Sequence, residues 1–212
     1  MRRIVTISRE FGSGGRELGK RLADRMGIAY YDNEIVTAIA RKSGFAQSYV
    51  QGVMEKRIQS YPIHYGRTLS LYALPNNENQ TSIFAAQHEI LHELAEKEDC
   101  VIVGRCADVI LEEFKPFNVF VYADMMSKVQ RCRLRAPEGE HFSDKELEKK
   151  IRQVDSGRAK YRRLFSPVKW GSREAYHLCV NTSGIPVKNL VEAVYDYVQI
   201  WFEHRSEKEV KK

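Results

Sequence analysis

Residues 4–20 read IVTISREFGSGGRELGK. A β-branched run, Ile4, Val5 and Ile7, leads into a glycine cluster at Gly12, Gly14 and Gly15. Leu18, Leu22, Ala23 and Met26 follow at helical spacing. Strand, glycine loop and helix in that order build a phosphate cradle. The glycines let backbone N–H groups turn inward on an anion, and the helix N-terminus adds the positive end of its dipole. The loop departs from the usual GxxxxGK[ST] pattern, whose lysine reaches the outer phosphates and whose hydroxyl holds Mg²⁺. Laid over that pattern, Gly14, Gly15 and Arg16 occupy the last three places. Arg16 is then the natural substitute for the lysine, because a guanidinium stays charged and forks onto phosphate. Ser13 and Ser8 are the nearest hydroxyls. The candidate phosphate-binding set is Gly12, Ser13, Gly14, Gly15, Arg16 and Glu17, and Arg16 is also a candidate for stabilising charge on a transferring group.

The chain has 212 residues, enough for one α/β domain with a sizeable core. Its 43% hydrophobic and 29% charged residues are ordinary for a globular protein. No apolar stretch approaches the length of a membrane span, and MRRIVTIS lacks the apolar region of a signal peptide. Cys100, Cys106, Cys132 and Cys179 show no C-x-x-C spacing and read as reduced thiols of a cytoplasmic protein. The net charge of +6 favours an anionic partner. Much of it sits in Arg131, Arg133 and Arg135, and then in Arg152, Arg158, Arg162 and Arg163. That segment lacks a nucleic-acid motif and has few interleaved aromatics. The charge alone leaves a nucleotide and a polymer both open; the missing motif argues against nucleic acid, and no membrane partner is expected.

Hydrophobic periodicity predicts strands over 2–8, 28–31, 100–103, 118–122 and 177–180. Helices are expected over 15–26, 34–42 and 81–97, from about Ser127, from the capping box Ser143-x-x-Glu146 to about Arg163, and along Val187–Trp201. The closing EKEVKK reads as a solvated tail. Residues 45–80, polar and punctuated by Pro62 and Pro75, read as an insert with at least one short helix. Alternating strands and helices imply a single domain over 1–212: a parallel sheet with helices on both faces. Ligands bind such a sheet beyond the carboxyl ends of its strands. The glycine loop, Asp32, Gly104-Arg105 and Asp124 all fall there. His88-Glu89-Ile90-Leu91-His92 spells H-E-x-x-H, a zinc-binding pattern on a helix. The other histidines, His64, His141, His177 and His204, offer no metzincin-type spacing, and the α/β pattern around it argues for structural or surface histidines. No residue is assigned as a protein metal ligand.

Six pieces, in order, resemble one family: ISREFGSGGRELGKRLA, YYD, VIVGRCAD, VFVYAD followed by KVQRCR, DSGRAKYRRLF, and YHLCVNTSGIPVKNLVEAV. Together they resemble the cytidylate kinase-like branch of the nucleoside monophosphate kinases, whose closest group shares the altered SREFGSGGRE loop. The resemblance spans nearly the whole chain apart from 45–80. It implies a three-layer P-loop kinase-like fold with an acceptor-binding insert and a helical lid over 131–163. It implies transfer of the γ-phosphoryl of ATP, with Mg²⁺, to CMP, dCMP or a related small acceptor. Position by position, Gly12–Arg16 would hold the phosphates. Arg131 would begin the lid and face the transferring group. Asp32, Arg105, Asp155, Arg158 and Arg162 would bind the acceptor, with Arg131 and Arg158 acting on the phosphoryl. Asn181-Thr182-Ser183 would lie near the adenine. The missing Gly-Lys-Ser keeps a second reading in view, a nucleotide-binding protein without turnover.

Overall fold

Strand β1 (Ile4–Arg9) is buried at every position because the sheet is covered on both sides. Its side chains alternate between two cores. Ile4 joins Cys100 and Ile102 against Ile35, Ile39, Ile83 and Leu91. Val5 and Ile7 join Val101, Val103, Val119 and Val121 against Leu18, Leu22, Val194 and Val198. This period of two is what a pleated strand imposes. The computed structural model describes residues 2–55, 77–136 and 142–210.

The other strands are β2 (Ala29–Tyr31), β3 (Cys100–Val103), β4 (Phe117–Tyr122) and β5 (Leu178–Asn181). All pair in parallel, in the order β2-β3-β1-β4-β5. Helices α1 (Gly15–Met26) and α8 (Val191–Val210) cover one face. The helices α2 (Asn33–Ser43), α3 (Gln47–Glu55), α4 (Asn77–Lys97) and α5 (Ala107–Ile110) supply the core on the other. Helices α6 (Met125–Leu134) and α7 (Asp144–Arg162) stand over the carboxyl end of β1 and pack through Val129, Leu147 and Ile151. This is the expected three-layer α/β arrangement.

Local signals decide most of the boundaries. Gly27 and Gly44 end α1 and α2 with φ of +65° and +76°, the left-handed cap that glycine adopts without penalty. Ser143 and Glu146 form the reciprocal capping box that opens α7. Asp124 caps α6 instead of extending the strand before it, and its carboxylate accepts the Ser127 N–H at 2.7 Å. Two expectations are corrected. Helix α4 starts at Asn77 and not at 81, so its first turn comes from the polar run. The C-terminal EKEV is not a loose tail but continues α8 to Val210. Of the 45–80 segment, α3 and the start of α4 are described, and 56–76 lies outside the described residues, as does 137–141 between α6 and α7. No helix among the described residues is long and apolar enough to cross a membrane.

The edge strand is sealed by an aromatic group around His177. Its Nδ1 accepts the Asn118 N–H at 2.9 Å, and its ring stacks on Phe117 and meets the edge of Trp201. A nitrogen that accepts an N–H carries no proton. Burial, then the nearby Arg205 charge, lowers the His177 pKa below its ordinary 6.5. The unfolded chain therefore binds a proton here at a pH where the folded chain does not, and stability falls as pH drops below 6.5. His177→Gln is expected to flatten the dependence of Tm on pH between about 7 and 5. An unchanged slope in that variant would assign the acid sensitivity to other groups.

Candidate active site

The glycine loop leaves β1 at Glu10 and enters α1 at Gly15. Gly12 and Gly14 sit at φ of +77° and +83°. A Cβ on Gly12 would stand 2.9 Å from the Lys128 carbonyl, and one on Gly14 would stand 2.5 Å from Val187 Cγ2. The loop is thus glycine-rich both for its backbone angles and for the closeness of α6 and the β5–α8 connection. Ser13 is fully buried, and its hydroxyl donates to the Glu10 carbonyl at 2.9 Å. Its own carbonyl accepts the Thr182 hydroxyl at 2.7 Å. Arg131 Nη1 donates to the carbonyls of Gly12 and Ser13 and to Thr182 Oγ1, and Nη2 donates to the carbonyls of Thr182 and Ile185. These bonds spend the loop's carbonyls on protein donors.

A second brace comes from α7. Asp155 accepts the Phe11 N–H at 2.7 Å, and Arg158 Nη1 donates to the Arg9 carbonyl at 3.0 Å. Lys128, nearly buried, sits 2.9 Å from Glu10 Oε2 and 3.6 Å from Asp155 Oδ2. Burial pushes the Asp155 carboxyl above the usual carboxylate range, against the pull of the Phe11 N–H, Arg158 and Lys128. Glu17 faces outward and accepts from Arg21 and Arg135.

Two cavities meet over this floor. The larger, about 870 Å³, lies between the glycine loop, α6 and α7 and is lined by Gly12, Gly14, Gly15, Arg131, Phe142 and Lys150 among others. The smaller, about 40 Å³, is lined by Ser8, Gly104, Met54, Trp170 and by Arg9, Arg105, Arg158 and Arg162. Arg9 and Arg158 line both and form the wall between them. The larger space falls within the size range of nucleotide and cofactor sites.

The sequence-derived residues separate accordingly. Gly12, Gly14, Gly15, Arg16, Arg131 and Arg158 reach the large cavity, while Arg105, Arg158 and Arg162 reach the small one. Arg16 lies at the mouth, 53% exposed, with Nε 2.5 Å from Asp32 Oδ2 and Nη2 3.4 Å from Asn33. Arg162 is buried in an ion pair with Asp108, beneath the Tyr176 ring. Arg105 holds a left-handed backbone at φ +58°, and its carbonyl accepts from Gln87 at 2.8 Å. Asp32 is buried between Arg16 and Arg9. Thr182 lies under the loop, its hydroxyl on the Ser13 carbonyl. His88 and His92 stack at 4.1 Å, and His92 Nδ1 pairs with Glu113. Among the described residues no group of three or more His, Cys, Asp or Glu could hold a metal.

Arg9, Glu10 and Lys128 escaped the sequence reading. Arg9 closes an apolar strand, and Lys128 lies on a helix that reads as a solvated basic face. A cation ending a fully buried run was the available signal for Arg9.

A model of the cytidylate kinase-like family matches residues 4–184. The chain belongs to that family. Among solved structures, this cytidylate kinase-like chain is similar to an uncharacterized protein from Eubacterium ventriosum, at 24% identity over 93% of this chain and 99% of that one, with a TM-score of 0.68. A shikimate kinase from Acinetobacter baumannii in complex with shikimate aligns at 16% identity over 94% of each chain, TM-score 0.52. A gluconokinase from Sinorhizobium meliloti aligns at 13% over 98% and 99%, TM-score 0.54. These likenesses show the P-loop kinase fold. No curated protein matches the sequence significantly.

Proposed function

We propose that this protein is a P-loop kinase-type phosphotransferase that moves the γ-phosphoryl of ATP to a nucleoside monophosphate, with CMP or dCMP as the first candidates. The observation that carries the reading is the shared arginine wall. Two cavities, one floored by a glycine loop and one lined by four arginines, share Arg9 and Arg158 in their linings. Phosphoryl transfer asks little covalent chemistry of a protein; it needs two substrates in line and cations around the moving charge. ATP would lie along Gly12–Arg16 with its phosphates on the α1 N-terminus. Arg158 would face the transferring group from α7, while Arg131 on α6 holds the loop by its carbonyls. Arg105 and Arg162 would shape the acceptor side. The described residues leave only about 40 Å³ there, so an acceptor enters after Met54 on α3 moves aside.

The residues also bear on Mg²⁺. The Ser13 hydroxyl is committed to the Glu10 carbonyl and does not offer the usual loop ligand. Asp32 Oδ1 is buried without a hydrogen-bond partner. A Mg²⁺ that keeps several waters and two phosphate oxygens needs only one or two carboxylates, and Asp32 fits that demand. The ion would neutralise charge on the β- and γ-phosphates.

Arg9, Arg105 and Arg158 on the acceptor side, beside an Arg162 already paired with Asp108, favour an acceptor that is already anionic. A carboxylate-bearing small molecule satisfies the same chemistry, and the fold likeness to shikimate kinase and gluconokinase supports keeping it as the second reading. The test is ADP formation from Mg-ATP with a panel of nucleoside monophosphates, shikimate and gluconate. Acceptor-dependent ADP with CMP, dCMP or UMP supports the first reading, and with a carboxylate the second. ATP binding without ADP on any acceptor would replace both with a binding-only role.

A further inference from the structure

We infer that Arg9 is the phosphate-binding cation of this loop, exchanged in place with Gly15 relative to the usual GxxxxGK arrangement. The inference rests on the phosphotransferase reading for its ligand, a nucleoside triphosphate. In register, Gly14 occupies the last glycine of that pattern, Gly15 the lysine position and Arg9 the first glycine. The two substitutions are reciprocal: a glycine where the cation belongs, and a cation where a glycine belongs.

The structure explains why they come together. A Cβ on Gly15 would stand 2.5 Å from Arg9 Cβ and 3.0 Å from its Cγ. No lysine fits at 15 while Arg9 is present. The Arg9 side chain runs from the end of β1 past Gly15 toward the end of β3, where its Nη1 takes the space that a Cβ on Gly104 would need. Gly15 and Gly104 thus form a sleeve for one arginine. Arg9 lines both cavities: its Cβ and Cγ stand at Gly15 beside the large one and its guanidinium at Gly104 beside the small one.

Its charge is poorly balanced. Burial, then Arg158 and Arg105, lower its pKa to about 9, opposed by Asp32, whose Oδ1 lies 3.8 Å from Nη2. It stays charged at neutral pH, among like charges. A polyanion entering the cradle relieves that repulsion, whereas a purely structural arginine would be matched by close carboxylates. Arg16 is different: it is half exposed, and its Nε is 2.5 Å from Asp32 Oδ2.

Calorimetric titration with Mg-ATP and with inorganic tripolyphosphate tests the assignment without needing an acceptor. Arg9→Gln is expected to weaken both ligands by more than about tenfold, the loss of charge-assisted bonds to phosphate. Arg16→Ala is expected to weaken them less. Gly15→Lys alone is expected to bind poorly, and Arg9→Gly combined with Gly15→Lys to regain affinity. The double variant keeps the test sound even if Arg9→Gln folds badly. Unchanged affinity in a folded Arg9→Gln, or a double variant no better than Gly15→Lys, would overturn the exchange. If the unaltered protein binds both ligands but transfers to no acceptor, the kinase reading fails while the Arg9 variants still decide the exchange. If it binds neither, both fall.

Discussion

Gly14→Val is expected to abolish measurable ATP binding while leaving the sheet folded. Position 14 has φ of +83°, where a β-branched residue is a strong outlier costing about 1–3 kcal/mol. Its Cβ would also stand 2.5 Å from Val187 Cγ2, so the loop or the turn before α8 must shift. The bonds that hold the loop, Thr182 to the Ser13 carbonyl and Arg131 to the Gly12 and Ser13 carbonyls, shift with it. Losing two amide-to-phosphate hydrogen bonds, at about 1.5 kcal/mol each, weakens ATP by about 100-fold or more. Gly27→Ala provides the control. Gly27 also has positive φ, +65°, but nothing lies within 4 Å of its Cβ position. That change should lower Tm modestly, for about 1–2 kcal/mol of strain, and leave ATP affinity alone. Titration of both variants decides the matter: retained ATP affinity in Gly14→Val would show that this loop is an ordinary turn.

Arg158→Gln is expected to lower kcat by about 10²–10³ with little change in ATP affinity, as loss of a donor aimed at developing charge does. Arg158 lines both cavities and is fixed by its bond to the Arg9 carbonyl and by the Phe11 ring beneath it. A residue placed between donor and acceptor acts on the transition state more than on either bound ground state. Arg158→Lys keeps the charge but loses the fork, and should recover only part of the rate. Steady-state kinetics with the acceptor found in the panel separates the possibilities. A raised acceptor KM with kcat intact would make Arg158 an acceptor-binding group. Intact kcat and KM with lowered Tm would make it a brace between α7 and β1.

These two residues mark where the sequence was readable. Gly14 was readable because a left-handed cap between a strand and a helix has few residue choices and a local cause. Arg158 could be reached only through the family resemblance, since a helix with Arg152, Lys160 and Arg163 beside it reads as a solvated face. The capping box of α7 was legible for the same local reason as Gly14. The start of α4 was not, because Asn77–Gln80 carries no apolar periodicity and reads as part of the polar insert. The C-terminal turns of α8 were missed likewise, as charged residues without periodicity.

The sequence by itself determined the alternation of strands and helices, the glycine cradle after β1, the caps that bound most helices, and the family. All of these depend on residues close together in the chain or on their order along it. Only the tertiary structure decided which cation stands at the cradle and which turns away. Arg16, adjacent to the glycines, swings to Asp32 at the end of β2, while Arg9 reaches past Gly15 toward Gly104 at the end of β3. Asp32 follows Arg16 by 16 residues and Gly104 follows Arg9 by 95, and the sheet order β2-β3-β1 brings them together. Side-chain direction and space depend on that packing, and no local pattern in the chain carries them.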